Sequence, residues 1–554
     1  MLKNIIKITI LIMFLPSLAG AQGLLFNAND NLIADRTSYN VFAHYQPKFE
    51  GDFSMSFEVS IIDTQSFGHI MNLKDKKSSI SYSLVYVSLD ENFGEIKLNL
   101  DGVKNLCSVL IKKELLGSRK WVSLSLSFNT INNRIDLVAN NQLFSVNQHN
   151  FGDIVIPEIY FGKHENVIDV PSMALRNLSI TNGSRNYVFK FNESSGMEVY
   201  DSKGEKYGFV NNPNWLISES YNWKKIYKAS FSQVSSLTFD ETNQRFIIQN
   251  ADTLLFYDLK DGSTTSNTYK NKLPISMRLG TSFLDISKNK LYVYEVNDIP
   301  IEKASVASLN LKEELIWKTI SFNQLPQQRH HHNSFFDSDK NQFIIFGGFG
   351  NQKLTNEFNL FDVSSGKWDS LSFTGDTISP RYFSGLSKIG DSEALLFGGI
   401  GNETGDQSLG TQHLFDCYKI NFDTKVIKKL WTRNNEDLKL VSTRNMVLSN
   451  DSKSFYTLAY PEYISESCLR LYKYSVKDGS QEVFGDSIPL ISERIRTNAN
   501  LYLNRETDQF LCAIQEFELD GSNRIKIYSI NNPPVSTDEI NFNYSKKGDD
   551  MPFG

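Results

Sequence analysis

From residue 239 onward one phrase recurs six times: a polar turn rich in Asn, Asp, Ser and Lys, followed at once by an apolar run. The copies span Phe239 to Phe246, Leu284 to Leu291, Phe336 to Phe343, Ser387 to Leu395, Ser449 to Phe455 and Leu503 to Phe510. Their last residues lie 45, 52, 52, 60 and 55 positions apart. A period of that length means one small supersecondary unit copied many times, each copy burying its face against the next. With no helical period inside the unit, it reads as a four-stranded sheet, a blade, and six blades make a ring.

A second phrase marks the third strand of most units: Leu255-Phe256-Tyr257, Leu360-Phe361, Cys417-Tyr418, Leu471-Tyr472 and Ile527-Tyr528. The fourth strand opens with tryptophan at Trp317 and Trp368, with a weaker copy at Trp431. One further copy, Trp223 to Tyr227, precedes the first full unit, whereas the last unit runs out near Ile530. The strand from Trp223 is therefore expected to complete the sixth blade, which closes the ring and removes the unpaired edge of a three-stranded sheet.

Ahead of the repeat the chain alternates apolar and polar residues, as in Phe53 to Val59, Trp121 to Phe128 and Met173 to Ile180. Turns such as Asn132-Asn133 and Asn140-Asn141 break these runs. Strands with one dry and one wet face suit two antiparallel sheets packed together, a β-sandwich of jelly-roll type. The fold class is all-β: a sandwich over 22–217, a six-bladed propeller over 218–535 and a tail over 536–554. Hydrophobic residues make up 40% of the 554, which supplies enough core for both.

The first residues read as a targeting segment. Lys3 and Lys7 form a basic start, Ile8 to Leu15 an apolar stretch about half a membrane span, and Ala19-Gly20-Ala21 a cleavage site. Cleavage after Ala21 yields a secreted or periplasmic chain. Position 21 is Ala where a lipobox needs Cys, so no lipid is expected there. No later stretch reaches 18 apolar residues, and no stable membrane span is expected in the mature chain. With 57 Lys+Arg against 63 Asp+Glu, the net charge of −6 argues against a nucleic-acid surface. Cys107, Cys417, Cys468 and Cys512 form no zinc spacing and read as buried free thiols in apolar strands.

Two units carry a sharper pattern: Arg329 through His332 with Gly347-Gly348, Phe361 and Trp368, and Arg381 through Ser384 with Gly398-Gly399, Tyr418 and Trp431. These phrases resemble the Kelch repeat, as in the central propeller of galactose oxidase, over residues 223 to about 535. The other four units place Gln249-Asn250, Tyr294-Glu295, Ala459-Tyr460 and Gln515-Glu516 where the glycine pair stands. The first domain more loosely resembles laminin-G or concanavalin A-like domains, through Trp121 and its strand, Ile159 to Gly162 and the closing Tyr207 to Trp215. The Kelch resemblance implies that positions just after the opening arginines, His331 and Phe383, line the mouth with Arg329 and Arg381. Aromatic and cationic groups there suit a sugar ring or an acidic peptide.

The resemblance to galactose oxidase also implies a copper alternative, with two histidines and two tyrosines as ligands. On a strand His330 and His332 share one face and His331 the other, and the only further propeller histidine is His413. Glu516, Glu518 and Asp520 alternate as a glycosidase pair could, but read as a solvated outer strand or hairpin. The Asp337-Ser338-Asp339 turn reads as turn chemistry rather than a calcium loop. Neither a G-x-S-x-G elbow nor a phosphate loop occurs. The expectation is an exported, non-enzymatic recognition protein that binds a glycan or a protein, with no cofactor and no metal. A second reading is the periplasmic half of a sensor that lacks its membrane and output parts.

Overall fold

Alternation in sequence becomes alternation in burial. In the computed structural model, which describes residues 22–536 apart from 79, 119, 148–153, 435–438 and 492–497, strand Val122–Asn129 buries Val122, Leu124, Leu126 and Phe128 and turns its serines outward. The segment read as a signal and the tail beyond 536 lie outside the described residues. Strand Phe53–Ile61 sits between Val122–Asn129 and Met173–Asn182, with Phe53 opposite Phe128 and Ile61 opposite Met173. The three alternating runs are thus neighbours in one sheet. Asn140 and Asn141, at φ 48° and 66°, make the two-residue turn between Arg134–Ala139 and Gln142–Val146. Two successive left-handed residues match the twist of the strands they join.

One compact unit ends at Ser220 and a second begins at Tyr221. The first contains two eight-stranded antiparallel sheets. Aromatic contacts run from one sheet to the other, Phe57 to Phe161 with ring centroids 5.1 Å apart and Tyr82 to Phe128 at 5.3 Å. Its last element is the short helix Leu216–Tyr221, which reaches the unit boundary. Among the described residues no helix is long and apolar enough to cross a membrane.

The second unit is a six-bladed propeller. Blade I orders strands Ser236–Asp240, Arg245–Gln249, Thr253–Asp258 and Thr264–Thr268; blade II orders Thr281–Asp285, Lys290–Tyr294, Val306–Asn310 and Lys318–Ser321. Blade III follows with Asn333–Asp337, Gln342–Phe346, Phe358–Asp362 and Lys367–Leu371. In blade IV the innermost strand is split, Arg381–Tyr382 and Gly385–Lys388, before Glu393–Gly401, Gln412–Asn421 and Val426–Thr432. Blade V is split in the same way, Val441–Ser442 and Val447–Leu448, before Ser454–Tyr460, Glu466–Ser475 and Gln481–Ile491.

Blade VI takes Asn498–Asn504, Gln509–Phe517 and Asn523–Asn531 from the chain's end and its fourth strand, Lys224–Phe231, from the start of the unit. Lys224 lies opposite Ser529 and Phe231 opposite Asn523, so the ring closes as the incomplete sixth repeat requires. Trp223 is buried beside this seam and its backbone N–H donates to Asp486 Oδ1 at 2.8 Å. All six phrase-ending residues, Phe246, Leu291, Phe343, Leu395, Phe455 and Phe510, are buried on second strands.

Two details differ from expectation. Trp431 lies near the end of its strand, opposite Cys417, because Val426 to Leu430 come first. Cys417 and Cys512 are buried free thiols, but Cys107 and Cys468 are only half-buried. Cys107 sits in Lys104–Lys112, the outermost strand of its sheet.

Candidate functional site

Arg329 and Arg381 open the inner segments of blades III and IV, and both are fully buried. Arg381 forms a two-pronged pair with Asp416, Nη1 to Oδ1 at 2.5 Å and Nη2 to Oδ2 at 3.0 Å, and Tyr418 donates its hydroxyl to the same carboxylate. Arg329 donates to Glu357 at 2.7 Å and to the Asn359 side chain at 2.8 Å. Each guanidinium also reaches the first glycine carbonyl of its own blade, Gly347 or Gly398. The glycine pairs have a steric reason. A Cβ on Gly348 would lie 2.9 Å from the His330 carbonyl oxygen, and one on Gly399 would lie 2.7 Å from that of Tyr382. Arginine and glycine pair are therefore one device, in which missing side chains let the arginine-bearing segment close over its blade. These guanidinia brace the blades from within.

The residues two places later face differently. His331 and Phe383 both hold left-handed backbone, φ 49° and 57°, which is rare for side chains of this size. Their rings stack with centroids 4.1 Å apart at an interplanar angle of 29°. The left-handed turn at His331 also overturns the shared-face reading of His330 and His332. Regular strand begins only at Asn333, so period-two alternation does not apply to the histidine run.

These rings wall a narrow cleft, open to solvent, whose lining also includes Ser442, Thr443, Arg444, Tyr460 and Asn498. The lining comes from the inner segments of blades III, IV, V and VI and the connection within blade V, with Tyr460 from the end of blade V's second strand. Asn333 fixes the register there, its amide donating to the Ser384 and Arg444 carbonyls at 2.6 Å each.

Arg444 was not among the sequence candidates. Four residues, 443–446, separate the two inner segments of blade V, against two in blade IV, and Arg444 stands in the longer connection. The one signal was the 60-residue interval between the fourth and fifth phrases, the longest of the set. Its guanidinium makes no hydrogen bond or ion pair with any described residue, and burial lowers its pKa. Tyr294, Tyr502, Tyr460 and Glu295 are the groups whose fields it feels.

His332 is buried beside them and neutral. Burial, then the Arg444 charge, holds its pKa well below 6.5. Its Nδ1 faces the Arg329 carbonyl at 3.0 Å, so Nδ1 carries the proton, and Nε2 accepts the Tyr294 hydroxyl at 2.8 Å. Glu295 is fully buried; its Oε2 accepts the N–H of Arg278 and Leu279 and its Oε1 those of Val296 and Asn297. Burial nonetheless raises its pKa to about 7.

The other candidates resolve into structural roles. His413 bonds Glu462 at 3.1 Å. Among the described residues, no three His, Cys, Asp or Glu side chains group as a metal site. Glu516 is buried, not solvated: Lys526 lies 2.7 Å and Arg524 3.4 Å away, because the facing strand supplies both cations. Glu518 and Asp520 lie past the strand's end at Phe517, and Asp520 accepts from Ser522 in the turn. Asp337 accepts the Lys340 N–H across its own turn.

Fold and site together define a class, a six-bladed propeller in which blades III and IV each carry a buried arginine closed over a glycine pair. The Kelch-repeats domain of KLHDC2, KLHL20 and DRC7 matches residues 296–457, a stretch that contains both such blades. A Kelch propeller suggests a role in protein interaction. No curated protein matches the chain. Among solved structures it is similar to the native heptameric SAP-like pentraxin from Limulus polyphemus, at 12% identity over 28% of this chain and 74% of that one, with a TM-score of 0.24.

Proposed function

We propose that this is an exported recognition protein whose propeller mouth binds a segment of another protein, the two-sheet unit acting as a second recognition module of laminin-G or concanavalin A-like type. The observation that carries the reading is the stacked pair of His331 and Phe383, held at the mouth in strained backbone by two different blades. Strain of that kind collects at ligand sites, where rigid rings offer contact area at little cost in side-chain entropy. Basic and apolar residues at the chain's start support export. Binding of the intact protein to peptide and glycan arrays, beside a variant carrying His331→Ala and Phe383→Ala, tests the reading. Peptide ligands lost in the variant support it. Glycan ligands alone, or peptide binding indifferent to both substitutions, refute it.

A further inference from the structure

Resting on that reading of the mouth, we propose that its floor is a monocarboxylate site, with Arg444 the ionic anchor for one carboxylate of an incoming peptide. Two groups at the floor point to this. Arg444 is cationic and makes no hydrogen bond or ion pair with any described residue, and the Tyr460 hydroxyl likewise has no hydrogen-bond partner there. Burial holds this phenol well above 10, so it keeps its proton and remains a donor. A planar guanidinium and an O–H donor lining one cleft are complementary to an acceptor that carries charge.

The charge of that acceptor follows from the neighbours. The guanidinia that brace the neighbouring blades are already occupied, Arg329 by Glu357 and Arg381 by Asp416. His332 adds no positive charge because its ring is neutral, and Glu295 opposes any anion once ionised. One cation beside one acidic group accommodates a single negative charge and disfavours the second charge of a phosphate. The approach past His331, Phe383 and Tyr460 is walled by rings, which suits the apolar stem of a peptide side chain or a chain end rather than a hydrated free ion.

Two arms on the intact protein test this. In the first, thermal unfolding is followed in sodium propionate, phosphate and chloride at equal ionic strength, for the natural protein, Arg444→Gln and Arg444→Lys. Propionate is expected to raise the midpoint in the natural protein, to do so less in Arg444→Lys and not in Arg444→Gln. Arg444→Lys retains the charge and separates loss of the site from loss of fold. Equal stabilisation by chloride or phosphate, or a propionate effect that survives in Arg444→Gln, overturns the proposal.

In the second arm, short peptides with acetylated and amidated ends carry either Glu or its neutral counterpart Gln, and a third set has a free terminal carboxyl. One acidic set is expected to bind roughly 30-fold tighter than the neutral set, and Arg444→Gln to erase that difference. Which acidic set wins distinguishes side chain from chain end. Equal binding of all sets overturns the carboxylate site while leaving the mouth as a peptide surface. No peptide binding, with a propionate effect that depends on Arg444, overturns the peptide source and the reading of the mouth but keeps the anion site.

Discussion

His331 and Phe383 belong to successive blades, yet their rings stack with centroids 4.1 Å apart, and the Phe383 N–H donates to the His331 carbonyl at 3.3 Å. Backbone and side chain therefore tie the two left-handed residues to each other. A double-mutant cycle of His331→Ala and Phe383→Leu, read by urea unfolding, is expected to give a coupling of about 1 kcal/mol. Strict additivity would mean that the contact carries no energy of its own.

The two buried arginines differ in what each leaves behind when removed. Asp416 is itself nearly buried, so Arg381→Ala strands an unpaired carboxylate and is expected to cost roughly 4 kcal/mol. Glu357 is 56% exposed, so after Arg329→Ala water solvates the freed charge and the loss is expected to be about half as large. Equilibrium unfolding of the two variants measures the order; a larger loss for Arg329→Ala would contradict it.

What the sequence disclosed follows the range of the interaction involved. Blade number, second-strand anchors and ring closure were legible because each rests on a local pattern: a polar turn, an apolar run and a tryptophan at the seam. His331 and Phe383 were legible through their fixed distance from an arginine. Their stacking was not, since it depends on two left-handed residues from different blades. Glu516 looked solvated because alternation describes its own strand, whereas burial is decided by Lys526 and Arg524 on the next one. Arg444 escaped notice because it lies in extra chain that belongs to no repeated phrase.

Closure of the ring rests on packing around Trp223, which shares a buried cluster with Ile488, Leu490, Tyr528 and Ile530. Trp223→Ala is expected to destabilise the propeller by about 4 kcal/mol. Its indole N–H is buried without a hydrogen-bond partner among the described residues, so Trp223→Phe removes an unsatisfied donor as well as volume, and is expected to stay within about 1 kcal/mol of the natural protein. Thermal and urea unfolding compare the two; equal losses would place the seam's stability elsewhere.

Glu295 sets a pH dependence in the same region. Its pKa rises from an ordinary 4.5 to about 7 in the folded protein, because burial opposes the charge more than four backbone N–H donors favour it. Between those values the folded chain holds a proton that the unfolded chain has released. Stability therefore falls as pH rises from about 4.5 to 7, by about 3 kcal/mol in total, and this residue adds no further change above that window. Glu295→Gln is neutral throughout and removes this part of the slope. It also turns an amide N–H2 towards two backbone donors, which lowers stability equally at every pH, so the slope and not the level is the readout. Urea unfolding of both proteins at several pH values across the window measures it. A natural protein whose stability runs parallel to that of Glu295→Gln would mean that the four N–H bonds win and the carboxylate stays ionised.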